Sequence, residues 1–300
     1  MRKMSAATVT LAAFLAGSFL PALSGQELAV QPQQPAGPAT PVAADAGDAA
    51  TATAGEHPLL PALAMAKAGL AGIEASIRDY SCTMVKRERV NGNLGDVQYI
   101  FVKVRHEPFS VYLNFLGPDA VKGQEVIWVE GQNDGCMLAH AGSGVRAMMG
   151  TVALKPDSMI AMEGQRYPIT EIGVKNLTGK LIEVAEHDSH FGECEVNFFP
   201  GSKVNGRPCT CIQVVHPVPR RNFRYHMARV FIDDGMKIPV RFEAYEWAEN
   251  AGDPPLLVEE YTYMNVKLNN GFTDLDFDVK NAAYKFSPPA AAAAVPTTVK

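Results

Sequence analysis

One helix stands between two long blocks of strand-type sequence, and this imbalance constrains the fold more than any other feature of the chain. Residues 167–188, YPITEIGVKNLTGKLIEVAEHD, carry Val174, Leu177, Leu181 and Val184 at steps of three and four, which sets the four on one helical face. Lys175, Thr178, Lys180 and Glu186 fall elsewhere on the wheel. Thr170 suits an N-cap, Glu171 the positive end of the helix dipole, and Pro168 the lead-in. A second helix is predicted over residues 58–78, where Leu63, Ala66, Leu70, Ile73 and Ile77 keep the same spacing.

Elsewhere the period is alternating. Residues 80–90, 97–106, 109–116, 124–130 and 136–140 read as strands before the central helix. Residues 193–199, 208–216, 226–233, 237–247 and 256–268 read as strands after it. Asn91-Gly92-Asn93, Glu107-Pro108, Gly117-Pro118, Pro200-Gly201, Asn205-Gly206, Asp234-Gly235 and Asp253-Pro254-Pro255 mark turns. Connections this short imply antiparallel meanders. About ten strands at ~4.8 Å spacing span nearly 50 Å, and two helices of ~10 Å diameter cover less than half of that. The sheet therefore curls round the helices or leaves apolar surface facing a cavity. Several strands are apolar on both faces: Tyr99 and Phe101 alternate with Ile100, Val102 and Val104, as in a half-barrel with a partly covered outside. The predicted fold class is α+β: a strongly curved antiparallel sheet, an unclosed half-barrel of about ten strands, with an N-terminal helix and a central helix plugging the concave face.

The ends of the chain differ from this block. Residues 1–24 hold Arg2 and Lys3, an apolar run, and small residues Ala22 and Ser24 at a plausible cleavage point, the pattern of an export signal. An uncleaved anchor is the alternative. Residues 25–57 are rich in Ala, Pro and Gly with almost no large apolar side chain, so a disordered tether is expected there and a similar tail over residues 288–300. Residues 58–287 have the length of one domain. The formal charge is −5, and loss of residues 1–24, which hold two bases and no acid, takes it to −7. An acidic chain argues against a nucleic-acid partner.

No constellation signals catalysis. His187-Asp188-Ser189-His190, near Glu193, seeds a metal site only weakly, because helix C-termini favour His in any case. Ser189 lacks a nucleophile-elbow context, and Gly142-Ser143-Gly144 lacks that of a phosphate loop. No cofactor, metal or nucleotide is expected. Arg220, Arg221 and Arg224, interleaved with Phe223 and Tyr225, form the one basic stretch. It reads as a contact for an anionic partner or as a solvated loop with an aromatic pinned to the core. Met148, Met149, Met159 and Met162 suit an adaptable lid or ordinary core filling. Of five cysteines, Cys194 and Cys211 are expected to form a disulfide, because a hairpin turning over residues 200–207 sets them opposite each other. Cys82, Cys136 and Cys209 are then free.

Three stretches carry a resemblance: Asp79-Tyr80-Ser81-Cys82-Thr83 through Lys86-Arg87-Glu88-Arg89; VKVRHEPFSVY from Val102 to Tyr112; and NNGFTDLDFD from Asn269 with Asn281 and Tyr284-Lys285-Phe286. In these the chain resembles DUF1571, a family of exported bacterial proteins of unknown function. The order of helix, GQEVIWVEG strand, central helix and ARVFIDDGMKIPVRFEAYEW hairpin is also similar to the periplasmic lipoprotein-carrier (LolA-like) fold. That resemblance implies an open barrel with an apolar concave face lidded by helices, which in the carriers takes acyl chains. The expectation is an exported, non-enzymatic protein holding an apolar or lipid-like ligand, with Ile172, Leu177, Leu181, Val184, Tyr99, Phe101, Val111, Leu113 and Trp128 lining the cavity. A structural or sensory envelope module with a filled core, binding a protein partner, is the rival, and a hydrolase is the weaker third reading.

Overall fold

Alternation of apolar and polar side chains along the chain's extended segments is satisfied by a single antiparallel sheet, seen in a computed structural model that describes residues 56–286. The expected export signal, residues 25–55 of the expected tether and the expected tail lie outside the described residues. The first helix is α1 (Leu60–Ser76). The first meander comprises β1 (Asp79–Val90), β2 (Asn93–Leu94), β3 (Gln98–His106), β4 (Phe109–Gly117), β5 (Glu125–Val129), β6 (Met137–His140) and β7 (Val152–Leu154), with the one-turn α2 (Gly144–Ala147) before β7. After α3 (Val174–Asp188) comes the second meander: β8 (Glu195–Val204), β9 (Arg207–Val215), β10 (Met227–Asp233), β11 (Pro239–Glu246) and β12 (Leu256–Leu268).

The twelve strands run in the order β7-β6-β5-β4-β3-β1-β12-β11-β10-β9-β8, with β2 beside the end of β1. The two meanders meet where β1 pairs with β12, from Tyr80 opposite Leu268 to Glu88 opposite Glu259. The order ends on β7 and β8, so the sheet is unclosed. Its curvature follows from shared lining: Met137 on β6 and Ala228 on β10 face one cavity, although seven strand spacings in a flat sheet would part them by roughly 34 Å. The half-barrel of the α+β class is therefore present, with two more strands than expected, β2 and β7, both too short to show an alternating pattern.

The convex face is covered by the chain's last described segment. Phe277 is buried among Tyr112, Ile127 and Val129, and Phe101, Phe272, Tyr284 and Phe286 pack round them. Asp79 fastens this segment, its carboxylate accepting the backbone N–H groups of Asn270, Gly271 and Phe272 at 2.6, 3.1 and 3.2 Å. Lys103 pairs with Asp276 at 2.7 Å and lies over the rings of Phe272 and Tyr284. This cover explains why β3 and β4 are apolar on both faces.

Two local expectations are corrected. Thr170 does not cap α3, because residues 169–171 form a separate 3-10 turn and Gly173, at φ 112°, breaks the path between them. The first α3 amide, Val174 N–H, is instead accepted by the Tyr80 hydroxyl at 3.0 Å, from β1. Cys194 and Cys211 are not joined, and all five cysteines are free. Asn205 and Gly206, both with positive φ, make the two-residue turn that joins β8 to β9. That turn places Phe199 opposite Cys211, with Pro200-Gly201 absorbed in a bulge.

Candidate functional site

Helix α3 packs against α1 and borders two cavities. The larger cavity, about 580 Å³, lies between α3 and the concave face. Ile100, Leu113, Phe115 and Val126 form the sheet wall, and Leu177, Leu181 and Val184 of α3, with Ile172 just before it, the opposite wall. Its size falls in the range of about 300–1,000 Å³ that small-molecule sites occupy. The smaller, about 110 Å³, lies under α1 and is lined by Ala66, Ile73, Thr178, Ile212 and Val230; Leu181 and Val184 border both. Thr178 is thus buried, its hydroxyl donating to Val174 O at 2.7 Å.

The structure divides the residues singled out from sequence. Ile172, Leu177, Leu181, Val184 and Leu113 line the larger cavity. Val111 and Trp128 are paired across β4 and β5, on the same face of their strands as Leu113 and Val126, but do not border the cavity. Tyr99 and Phe101 do not reach it either: strand alternation turns them to the convex face, where Phe101 packs against the C-terminal segment. Alternation separates two faces without saying which is inside.

A polar end to this cavity was not read from the sequence. Lys86, Glu88, Gln165, Tyr167, Arg224, Tyr225, Glu259 and Tyr261 all border it. Lys86 and Glu88 share the inward face of β1 with Tyr80, Cys82 and Met84, so charge at core positions of an apolar strand was the available signal. Lys86 Nζ donates to Glu88 Oε2 at 3.0 Å and to Gln165 Oε1. Glu259, 1 % exposed, accepts from Arg166 Nε at 3.1 Å and from the hydroxyls of Tyr167 and Tyr225, with the Tyr261 oxygen 3.2 Å away. The Tyr261 hydroxyl donates to Glu88, which accepts the Arg166 backbone N–H at 3.2 Å as well. Burial, reinforced by the neighbouring Glu259, pushes the hydroxyls of Tyr167, Tyr225 and Tyr261 above the ordinary phenol range, so they remain donors.

The basic loop is split three ways. Arg220 is paired with Glu193, Arg221 is exposed, and Arg224, also exposed, borders the cavity, donating to the Tyr167 hydroxyl and lying 5.5 and 5.3 Å from the ring centres of Tyr167 and Tyr225. Phe223 and Tyr225 are buried. Of the methionine-rich segment, Met148, Met149 and Met159 are exposed, and Pro156 and Ala161 border the cavity in their place. At the end of α3, Asp188 is buried between His187 and His216, at 2.9 and 3.1 Å. His216 stacks on Phe223 with ring centres 3.8 Å apart, so this cluster fastens α3 to β9. Among the described residues no three His, Cys, Asp or Glu side chains are grouped to hold a metal ion.

Solved structures with similar chain paths include the lipoprotein LppX of Mycobacterium tuberculosis, at 15% identity and a TM-score of 0.41, covering 73% of this chain and 100% of its own. A putative outer membrane lipoprotein-sorting protein domain from Vibrio parahaemolyticus matches at 12% identity and a TM-score of 0.34, over 72% of this chain and 95% of its own. MucB, in its complex with MucA from Pseudomonas aeruginosa, matches at 18% identity and a TM-score of 0.39, over 74% and 63% respectively. No curated protein matches the chain in sequence. The sequence profile of one family, described as a protein of unknown function (DUF1571), matches residues 77–286. These residues hold β1, the central helix, the whole sheet and its C-terminal cover, and the chain belongs to the DUF1571 family.

Proposed function

We propose that this chain is an exported, non-enzymatic binding protein that holds an apolar or acyl-bearing ligand, of the lipid or lipoprotein type, between α3 and the concave face of its sheet. The observation that supports this reading is the cavity of about 580 Å³ beneath a helix whose own apolar residues face it. Protein interiors are close-packed, with few voids larger than a water molecule, and the walls of an unfilled apolar space forgo dispersion contacts. A guest restores them. Each methylene it transfers from water contributes about 0.8 kcal/mol, so part of one acyl chain gives useful affinity. The rival reading, an envelope interaction module with a core filled by side chains, has no use for such a space.

Native mass spectrometry of the protein isolated from its own host tests the reading. The expected result is a population carrying lipid-sized mass additions that organic extraction removes. Protein that arrives bare and takes up no acyl ligand on reconstitution contradicts it.

A further inference from the structure

Beyond the apolar wall, hydrogen-bonding capacity at the polar end of the larger cavity is unevenly spent. A carboxylate offers about four acceptor positions and no donor, an ammonium three donors, and a guanidinium five. Glu259 already receives the Arg166 guanidinium and the hydroxyls of Tyr167 and Tyr225. Glu88 receives Lys86, the Arg166 amide and Tyr261. The acceptors are close to saturation. The donors are not: Lys86 uses two of its N–H groups, on Glu88 and Gln165, and Arg224 uses one, on the Tyr167 hydroxyl. Both line the cavity.

We infer that this end of the cavity seats the anionic head, a carboxylate or a phosphate, of a ligand whose chain lies along the wall formed by Leu113, Phe115, Leu177 and Leu181. The inference rests on the binding function proposed above and names the ligand class: a single-headed anionic amphiphile. Arg224 and Lys86 supply the charge-assisted hydrogen bonds that fix the head, and the occupied carboxylates of Glu88 and Glu259 hold the tyrosines and Arg166 in place. Arg224, the more exposed of the two, is the group a ligand meets first.

Titration calorimetry at pH 8, below the micelle concentration of each probe, compares palmitate, 1-palmitoyl-lysophosphatidate, methyl palmitate and inorganic phosphate. The expected order is at least about tenfold tighter binding of one or both anionic lipids than of methyl palmitate, and no binding of phosphate alone. Whether palmitate or the lysophosphatidate binds tighter identifies the head as carboxylate or phosphate. Arg224→Gln is expected to lose about tenfold in affinity for the anionic lipids and to leave methyl palmitate within twofold, with Arg224→Lys restoring most of the preference. Equal binding of palmitate, the lysophosphatidate and methyl palmitate, or binding of phosphate as tight as that of the lipids, overturns the inference while leaving the binding function intact. Failure of all three lipids to bind removes the binding function itself, and the inference with it.

Discussion

Gly173 and Tyr80 meet where α3 begins: the Tyr80 hydroxyl accepts the Val174 N–H at 3.0 Å, and a Cβ added at Gly173 would lie 2.9 Å from that same oxygen. Gly173 also holds φ at 112°, where only glycine is unstrained. Gly173→Ala is therefore expected to lower unfolding free energy by about 1–3 kcal/mol, and Tyr80→Phe by a similar amount through the stranded amide. Urea unfolding measures both. Two variants within error of the parent would contradict this account of how α3 is held over the cavity.

The convex cover hangs on Asp79, whose carboxylate, 4 % exposed as part of its residue, accepts three consecutive backbone amides. Asp79→Ala strands all three and is expected to cost at least about 2 kcal/mol. Hydrogen exchange at Asn270, Gly271 and Phe272 should speed up, and trypsin should cut at Lys280 and Lys285 before the rest of the domain. Unchanged protection of these amides would show that the cover is held by its aromatic packing alone.

Acid stability depends in part on Asp233. The Arg207 guanidinium, aided by the N–H groups of Met236 and Gly235, holds its carboxyl below the ordinary carboxylate value. A lowered folded value means the stabilisation is fully present above about pH 4, the ordinary range of an unfolded Asp, and is lost as pH falls through the lower folded value. Asp233→Asn should be less stable at pH 7 and should lose less further stability between about pH 4 and pH 2 than the parent. Parallel stability curves for the two proteins would contradict the assignment.

Burial pushes the Cys211 thiol up to about 12 and those of Cys194 and Cys209 up to about 11, with Cys82 higher still. Little thiolate forms at pH 8, so these four should alkylate slowly in the folded protein. Unfolded without reductant, the protein should take up five alkyl groups, as five free cysteines require. An uptake of three would restore the disulfide.

The parts of this fold legible in the sequence are those with a repeat. Leu177, Leu181 and Val184 announce α3 by spacing, and the ten longer strands announce themselves by alternation. What was not legible depends on partners distant in the chain. The start of α3 is set by Tyr80, more than ninety residues earlier, so local capping chemistry pointed to Thr170. Tyr99 and Phe101 read from sequence as cavity residues because nothing periodic marks residues 272–286 as the cover of the other face. The hairpin register that separates Cys194 from Cys211 was readable in Asn205-Gly206, the strongest two-residue turn signal present, against the competing Pro200-Gly201. The polar end of the cavity was half visible: Lys86 and Glu88 lie at core positions of β1, but Gln165, Arg224 and Glu259 reach them only through the fold.

The sheet is wider than its helices can cover and leaves a cavity of about 580 Å³, and filling that space from within tests most directly whether it holds an apolar guest. Leu177→Trp, on the cavity wall of α3, should keep the fold by circular dichroism. The variant should bind a fluorescent acyl probe such as cis-parinaric acid at least about tenfold more weakly than the parent, the scale of two lost methylene burials. Equal probe affinity in parent and variant would contradict the claim.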